Sequence, residues 1–193
     1  MVLAQQESDM KTIFLIAGES SSGKDSLVSQ LCNETGLNQL VSYTTRPRRQ
    51  GEGDTHIFII EEEFDQYKNS IVAYTEINNY KYFCTVQQLY ESDFYVIDPI
   101  GIRYLKEKVS NTDIRFITIY INVPFQIRKH RALDIRKDDP KVYISRHQSE
   151  FDQFLNFKAC ADFDYAISNI DFDKAYKVLK SIIKIELDGD IND

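Results

Sequence analysis

A short apolar run that leads directly into a segment bounded by glycines constrains this chain more than any other feature. The run is Ile13–Ala17, which is typical of a buried strand in a parallel sheet. The segment that follows reads Gly18-Glu19-Ser20-Ser21-Ser22-Gly23-Lys24. Leu27, Val28 and Leu31 come next at helical spacing. Strand, G-x-x-x-x-G-K turn and helix in this order predict a P-loop, whose backbone N–H groups and helix N-terminus bind phosphate oxygens.

We expect this loop to hold the phosphates of ATP, with Lys24 placing a positive charge near the β- and γ-phosphates. The residue after the lysine is usually Ser or Thr, but here it is Asp25, with Ser26 next. A carboxylate is a good ligand for Mg²⁺, and without the ion it would repel the phosphates. We therefore predict strict dependence on Mg²⁺, with Asp25 and Ser26 as candidate ligands. The predicted ATP-binding residues of the loop are Gly18, Ser20, Ser21, Ser22, Gly23, Lys24, Asp25 and Ser26.

The length and charge of the chain narrow the classes of function. Its 193 residues fit one domain, or one domain with a small inserted lobe. A formal net charge of −7 disfavours binding to bulk nucleic acid or to anionic membranes. Met1–Lys11 lacks the basic region and apolar stretch of a signal peptide, and Ile13–Ala17 is too short to cross a bilayer. We expect a cytoplasmic protein with small-molecule partners, no nucleic acid and no membrane, and leave its oligomeric state open.

Cysteines and basic residues complete the compositional picture. Cys32, Cys84 and Cys160 lie far apart without a C-x-x-C pair, so neither a metal cluster nor a disulfide framework is expected. Two basic clusters stand out in this acidic chain, and they consist of Arg46, Arg48 and Arg49, and of Arg128, Lys129, Arg131, Arg136 and Lys137. We interpret Arg48 and Arg128 as surface charges.

The remaining elements alternate between strands and helices, which predicts a parallel α/β core. The other predicted core strands are Leu40–Ser42, Phe94–Asp98, Phe116–Val123 and Tyr165–Ser168. The predicted core helices are Gly101–Val109, Pro124–Ala132, Pro140–Ala159 and Asp171–Leu187, with a charged break at Asp134–Asp139. We expect a core of about 11–42 and 92–187, and an inserted lobe of about 43–91.

The inserted lobe is predicted from residues rich in β-branched and aromatic side chains. Its predicted strands are His56–Ile60, Ile71–Ile77 and Tyr80–Thr85, and its predicted short helix is Glu61–Lys68. Asn78 and Asn79 separate the last two strands and favour a hairpin turn. This pattern differs from that of the core, so the lobe is expected to form a small mixed α/β unit of its own.

A second motif carries a resemblance to a known family. It reads Ser42-Tyr43-Thr44-Thr45-Arg46-Pro47-Arg48-Arg49-Gln50-Gly51-Glu52. This string resembles the monophosphate-binding loop S-x-T-T-R-x-x-R-x-G-E of the guanylate kinase family. Later parts of the chain resemble further motifs of that family in the same order. Tyr82 matches the tyrosine of Y-G-[ST], and Asp98 and Gly101 match D-x-x-G. Arg131, Arg136 and Arg146 match the arginines of the lid and the helix after it, and Asp164–Asn169 matches D-Y-x-x-x-N, so that the resemblance covers about residues 11–185.

The resemblance implies a P-loop kinase with a parallel core, an acceptor-binding lobe and an arginine-bearing lid at about 132–145. It implies ATP as the donor and a nucleoside monophosphate as the acceptor. The residues it implies for binding the monophosphate are Ser42, Arg46, Arg49, His56, Tyr82, Cys84 and Asp98. The residues it implies for catalysis are Lys24, Arg46, Arg136 and Arg146, and it adds Arg131 and Asn169 to the ATP site. Arginine forks suit phosphate oxygens because they bind them bidentately.

Three departures from the family pattern concern the acceptor. His56 replaces a tyrosine of the phosphate loop, and Phe83-Cys84 replaces the glycine and hydroxyl of Y-G-[ST]. Counting back from Tyr82, the family's guanine-reading glutamate falls on Ala73. Glu76 cannot replace it without a bulge, because residues three apart on a strand point to opposite faces. We expect Ala73 to leave extra room and to broaden or shift the base preference.

Three functional hypotheses follow. The first is a kinase for GMP or dGMP, and the second is a kinase of the same build for another ribo- or deoxyribonucleoside monophosphate. The third is a non-catalytic binding module, like the guanylate-kinase-like domains of scaffolding proteins. Such modules tend to lose the P-loop, whereas Gly18, Gly23 and Lys24 are all present here.

Overall fold

The computed structural model describes residues 10–48 and 53–188. The strands are β1 (Lys11–Ala17), β2 (Tyr43–Thr44), β3 (Ile57–Phe58), β4 (Ile71–Ile77), β5 (Tyr80–Thr85), β6 (Phe94–Val96), β7 (Ile114–Asn122) and β8 (Tyr165–Ser168). The α-helices are α1 (Lys24–Thr35), α2 (Val86–Tyr90), α3 (Pro99–Lys108), α4 (Phe125–His130), α5 (Pro140–Ala159) and α6 (Phe172–Asp188). A 3-10 helix spans Glu61–Tyr67 and a π-helix spans Arg131–Ile135.

The core is a four-stranded parallel sheet in the order β6-β1-β7-β8. Ile13–Ala17 of β1 is completely buried, as its uninterrupted apolar sequence predicts for a strand covered on both faces. One face of the sheet packs on α1 and α6 through side chains such as Leu27 and Leu179, and the other packs on α3 and α5 through Leu105 and Phe157. The carboxyl end of β1 therefore opens into the loop that precedes α1.

The helix ends follow from local sequence. Gly36 ends α1 at φ 76°, a left-handed conformation that suits glycine, and its N–H donates to Cys32 O. Asp98 begins α3 by accepting from Gly101 N. Asp139 begins α5 by accepting from Lys141 N and Val142 N, and Pro140 lies in the first turn of that helix. Asp171 accepts from Lys174 N at 3.2 Å at the start of α6, as the sequence predicts.

The second sheet is mixed and has the order β3-β2-β5-β4. Asn78 and Asn79 connect β4 and β5 with φ values of 52° and 63°, which confirms the predicted hairpin. Tyr43, Tyr67 and Phe83 stack beneath this sheet, with ring centroids 4.6–5.5 Å apart. The bounds of β4 and β5 are those that the sequence predicts.

Two sequence predictions about elements are wrong. Leu40–Ser42 is not a strand: Leu40 N donates to Phe94 O beside the core sheet, and the chain then crosses to the second sheet, where pairing begins at Tyr43. The helix predicted over Pro124–Ala132 ends at His130, and the π-helix replaces its last turn and part of the predicted break. Within residues 10–48 and 53–188, no helix has both the length and the hydropathy needed to cross a membrane.

Candidate active site

The P-loop connects β1 to α1, and its backbone is bent where the sequence has glycines. A Cβ at Gly18 would lie 2.7 Å from Ser22 Oγ and 2.9 Å from Ile121 O, so a side chain does not fit there. Gly23 adopts φ 83°, and a Cβ on it would lie 2.6 Å from Asn169 Nδ2. Ser22 N donates to Glu19 O at 3.0 Å, which closes the turn. The loop is therefore held in shape before any phosphate binds.

Lys24 and Asp25 begin α1. Lys24 Nζ lies 3.5 Å from Asp25 Oδ2, and the exposed fractions of these side chains are 20% and 70%. Mg²⁺ in kinases is usually held by one or two carboxylates together with substrate phosphates and water. Within the described residues, no group of three or more histidine, cysteine or acidic side chains could hold a metal. The accessible carboxylate of Asp25 beside the phosphate loop fits an ion that arrives with the nucleotide.

Arg131 and Arg136 both reach the P-loop, although they are five positions apart in the sequence. The π-helix brings residues with this spacing into line, and Arg136 N donates to Arg131 O at 3.1 Å. Arg136 Nη2 donates to Ser21 Oγ at 2.9 Å and to Asp138 Oδ2 at 2.5 Å. Arg131 Nη2 donates to Asn169 O at 2.7 Å, and burial lowers the pKa of the Arg131 guanidinium.

Asn169 follows β8 and is 1% exposed. Its Nδ2 donates to Ser22 O at 2.7 Å, so its amide supports the P-loop from behind. A cavity of about 280 Å³ lies beside it, and its lining includes Gly23, Ser26, Ile135 and Phe172. This cavity adjoins the P-loop at Gly23, while the Asn169 amide nitrogen is already engaged with the loop.

Four residues predicted to bind the acceptor contact one another on the second sheet. Arg46 Nε donates to Tyr82 Oη at 3.1 Å, and Arg46 is 7% exposed. Ser42 Oγ lies 3.0 Å from His56 Nδ1, and the His56 ring meets the Tyr82 ring edge-on at 5.5 Å. The connected hydroxyls, imidazole and guanidinium suit a phosphate monoester. Arg49 lies outside the described residues.

Arg146, on α5, lies between the two sets of arginines. Burial lowers the pKa of its guanidinium, and the charges of Asp138, Arg136, Arg46 and Glu150 also act on it. Arg46 beside the second sheet and Arg136 after the π-helix are therefore both within electrostatic range of Arg146 on α5. Arginines placed together this closely repel each other unless anions lie between them, and phosphate groups supply such anions.

Asp98 stands at the carboxyl end of β6, at the edge of the same cleft. Its Oδ1 accepts from Gly101 N at 2.8 Å. Burial raises the pKa of the Asp98 carboxyl, and this effect exceeds the opposing influence of Gly101 N–H and of Thr75. The negative charge of Glu150 raises that pKa further. Asp98 is therefore fixed at the start of α3, where the charge of Glu150 acts on it.

Cys84 and Ala73 face each other across the β4–β5 ladder, and both are 0% exposed. Burial raises the pKa of the Cys84 thiol to about 12, despite a contact with Tyr95. The extra room expected at position 73 is absent, because core side chains fill it. Because Cys84 is completely buried, none of its atoms is exposed for contact with an acceptor.

The prediction that Ala73 and Glu76 point to opposite faces of β4 is confirmed. Thr75 pairs with Tyr82, and Glu76 pairs with Lys81 on the opposite face. The irregularity in β4 lies between Ile71 and Ala73, so the register from Ala73 onward is regular. Glu76 accepts from the Tyr74 hydroxyl at 3.1 Å in an exposed position and does not replace the missing carboxylate.

Sequence reasoning missed two carboxylates and misplaced one arginine. Glu19 is buried within the P-loop and accepts from Tyr120 Oη at 2.8 Å and from Lys158 Nζ at 3.1 Å. Arg128, predicted to be a surface charge, is 5% exposed and lies 3.5 Å from Glu19 Oε1, because the buried carboxylate requires a cation. Glu150 contacts the loop at Ser20. Glu150 lies four residues after Arg146 on α5, but this spacing does not point to Ser20, and no local sequence signal indicates the contact.

Taken together, the P-loop and the facing arginines define a P-loop kinase of the nucleoside monophosphate class, a phosphotransferase that uses ATP. The family model for guanylate kinase matches residues 9–186 of the chain. The chain belongs to the guanylate kinase family, as the sequence motifs predict.

Individual relatives agree with this placement. The chain is 30% identical over 179 residues to a guanylate kinase from Legionella pneumophila strain Paris, a match that covers 89% of this chain and 84% of that protein. It is 28% identical over 189 residues to a guanylate kinase from Escherichia coli O157:H7, with 91% and 88% covered. The crystal structure of guanylate kinase from Anaplasma phagocytophilum matches with a TM-score of 0.65 at 21% identity, over 92% of this chain and 86% of that chain. The predicted fold class is thereby confirmed.

Proposed function

We propose that the protein transfers the γ-phosphoryl group of ATP to GMP or dGMP in the presence of Mg²⁺, giving ADP and the nucleoside diphosphate. The observation that carries the proposal is the hydrogen bond from Arg136 to Ser21 of the P-loop at 2.9 Å, and it is supported by the charges of Arg46 and Arg136, which both act on Arg146. The names of the relatives support guanine as the acceptor base. We also propose that the protein acts in the cytoplasm, which is consistent with the absence of a membrane-spanning helix among the described residues.

The reaction requires positioning and charge neutralisation more than proton transfer. The bond between the γ-phosphorus and the β,γ-bridging oxygen breaks, and a bond forms to an oxygen of the monophosphate. That oxygen is already anionic near neutral pH, since the second pKa of a phosphate monoester is about 6. No general base is required, and most of the catalysis comes from holding the two substrates in line.

Each group of residues has a distinct part in this mechanism. Lys24 and the P-loop N–H groups hold the donor phosphates, and Arg46 with Tyr82 holds the acceptor phosphate. Arg136 and Arg146 lie between them and stabilise the charge that develops on the transferring group. Mg²⁺, held by Asp25 and the ATP phosphates, would neutralise charge on the β- and γ-oxygens.

We also propose that the segments divide as the motifs suggest. Residues of about 43–91 form the acceptor lobe, and residues of about 132–145 form a lid over the donor. Arg136, which stands within the lid, already donates to Ser21 of the P-loop. A lid that closes over both substrates excludes water and so limits hydrolysis of ATP.

The direct test is a coupled assay of ADP formation with each ribo- and deoxyribonucleoside monophosphate in turn. We expect turnover with GMP or dGMP that depends on both substrates and on Mg²⁺. A second candidate, a kinase of the same build for another base, is favoured by one observation: Ala73 supplies no carboxylate at the position where the family reads guanine. Faster turnover of AMP, dTMP or dCMP would support that candidate, and no turnover with any ribo- or deoxyribonucleoside monophosphate would contradict both candidates.

A further inference from the structure

Glu150 of α5 binds the P-loop at Ser20, through both the backbone N–H and the side-chain hydroxyl of that residue. Its Oε2 accepts from Ser20 N at 2.8 Å, and its Oε1 accepts from Ser20 Oγ at 2.6 Å. The two residues are 130 positions apart, so the fold creates this contact. Both carboxylate oxygens bind the loop, in the bidentate manner of an oxyanion.

The surroundings of Glu150 are those of the transferring phosphoryl group. Arg146 precedes it by one turn of α5, and the Glu150 charge acts on the Arg146 guanidinium and on the Asp98 carboxyl. Glu150 therefore supplies negative charge near Arg146, as a substrate phosphate would. Asp138 does the same for Arg136, at 2.5 Å.

We propose that Glu150 occupies the place of a phosphate oxygen of ATP and must release Ser20 before the donor binds fully. The inference rests on the proposed function, because it takes the P-loop as the site of the ATP phosphates. One N–H cannot donate fully to a carboxylate and a phosphate at once, and two anions a few ångströms apart repel each other. Glu150 is thus a positioning residue that keeps the empty loop ordered and weakens ATP binding.

The released side chain has a nearby partner. Residues four apart on a helix are neighbours, so Glu150 can turn from Ser20 toward the Arg146 guanidinium on its own helix. When ATP displaces Glu150, the carboxylate therefore exchanges its hydrogen bonds with Ser20 for hydrogen bonds with Arg146. No charged group is left without a partner. The competition affects ATP specifically, because the acceptor phosphate is held by Arg46 and Tyr82 on the other sheet.

The test compares Glu150→Ala and Glu150→Gln with the wild type and with Asp152→Asn. Asp152 is an exposed carboxylate on the same helix, so it controls for the lost charge. Calorimetry with the β,γ-imido analogue of ATP and Mg²⁺ is expected to show a Kd about tenfold lower in Glu150→Ala. Glu150→Gln is expected to show a smaller decrease, and Asp152→Asn none. In steady-state assays KM for ATP is expected to fall while KM for the monophosphate stays unchanged.

A merely structural role for Glu150 would give a different result. Loss of structure would raise both KM values and lower the melting temperature, without tighter binding of the analogue. An unchanged or higher Kd in both Glu150 variants overturns the proposal. If Glu150→Ala does not fold, Glu150→Gln is used instead, and the chemical shift of the Ser20 backbone amide is measured without nucleotide. That chemical shift is expected to change in Glu150→Gln and to stay unchanged in Asp152→Asn. A wild type that binds no ATP analogue at all contradicts the proposed function instead.

Discussion

The Arg46 guanidinium donates through Nε to the Tyr82 hydroxyl at 3.1 Å, which joins the loop after β2 to the middle of β5. A second donor of the same guanidinium, Nη1, binds Pro47 O at 2.9 Å. The arginine lies largely buried, beside the Phe58 ring. These contacts hold the guanidinium in one orientation before an acceptor phosphate arrives, which reduces the entropy lost on binding.

Arg46→Ala is expected to raise KM for the monophosphate by about 10–100-fold, the scale of losing charged hydrogen bonds. KM for ATP should change little, because the donor binds at the P-loop. Tyr82→Phe removes the hydroxyl and its contact with Arg46 and should give a smaller effect in the same direction. Arg48→Ala is the matched control, since Arg48 is an exposed cation from the same loop that pairs with Asp54. A change confined to KM for ATP would contradict the division between donor and acceptor sites.

Lys24→Ala should lower kcat by at least about 100-fold, because a well-placed electrostatic stabiliser contributes this much. Lys129, an exposed lysine at the end of α4, provides the control variant Lys129→Ala, which should retain its turnover. Single-turnover kinetics would separate the chemical step from substrate binding. Near-normal turnover in Lys24→Ala would place the donor phosphates elsewhere.

Asp25→Thr should change the dependence on Mg²⁺, because it replaces an anionic ligand by the hydroxyl usual at this position. We expect a higher Mg²⁺ concentration at half-maximal activity, with the activity at saturation largely retained. The measurement is a titration of activity with Mg²⁺ at fixed ATP. Superimposable titration curves for the wild type and the variant would show that Asp25 is not close to the ion.

The buried carboxyl of Glu19 should make the unfolding free energy of the protein depend on pH in the acid range. Burial opposes its ionisation, but Arg128, with Tyr120 and Lys158, lowers the pKa of the carboxyl below 4.5 overall. A carboxyl with a depressed folded-state pKa contributes stability above its unfolded-state value, and loses this contribution as the pH falls through the folded-state value. Glu19→Gln should cost about 3–5 kcal/mol of unfolding free energy at neutral pH, because Arg128 is left buried without its counter-charge.

The pH profile of that cost provides the check. The difference in unfolding free energy between the wild type and Glu19→Gln should be constant above about pH 5.5 and should shrink below 4.5, the ordinary value for the carboxyl. Glu107→Gln, at an exposed site on α3, serves as the control and should cost little at any pH. Urea titrations at several pH values measure the difference, and a pH-independent difference would exclude ionisation of Glu19 as its source.

The sequence predicts those parts of the structure that adjacent residues specify. The P-loop follows from the spacing of Gly18, Gly23 and Lys24, and the β4–β5 hairpin follows from two alternating strands around Asn78-Asn79. These features depend on local dihedral preferences, which sequence order reveals.

Contacts across the fold are different. Ser20 meets Glu150 across 130 positions, and Lys158 meets Glu19 across 139. No local pattern specifies such pairs, because either carboxylate alone resembles an ordinary solvated side chain. Arg128 was misplaced for the same reason, since charged residues are exposed unless a buried partner is known. The π-helix, which depends on the arginines meeting the P-loop, also has no local signature.

The preference of the enzyme for one acceptor base depends on position 73, where the structure has a completely buried alanine. Guanine presents N1–H and N2–H₂ as adjacent donors, which one carboxylate accepts together, and alanine accepts neither. We therefore expect the ratio of kcat/KM for GMP to that for AMP, dTMP or dCMP to be smaller than in an enzyme with the glutamate. Ala73→Glu should raise this ratio, but at a cost in stability, because position 73 is closed by Cys84 and the core.

Thermal shifts separate these two effects. Ala73→Glu should melt at a lower temperature than the wild type, and GMP should restore more of the lost stability than AMP does, because a ligand that pairs the carboxylate stabilises the folded state by mass action. Ala73→Leu adds comparable bulk without an acceptor, so it should lose stability and show no selective rescue by GMP. Equal rescue of Ala73→Glu by GMP and AMP would mean that another residue reads the base. A wild type already strictly specific for guanine would lead to the same conclusion, with Ser42 and Asp98 as the next side chains to substitute.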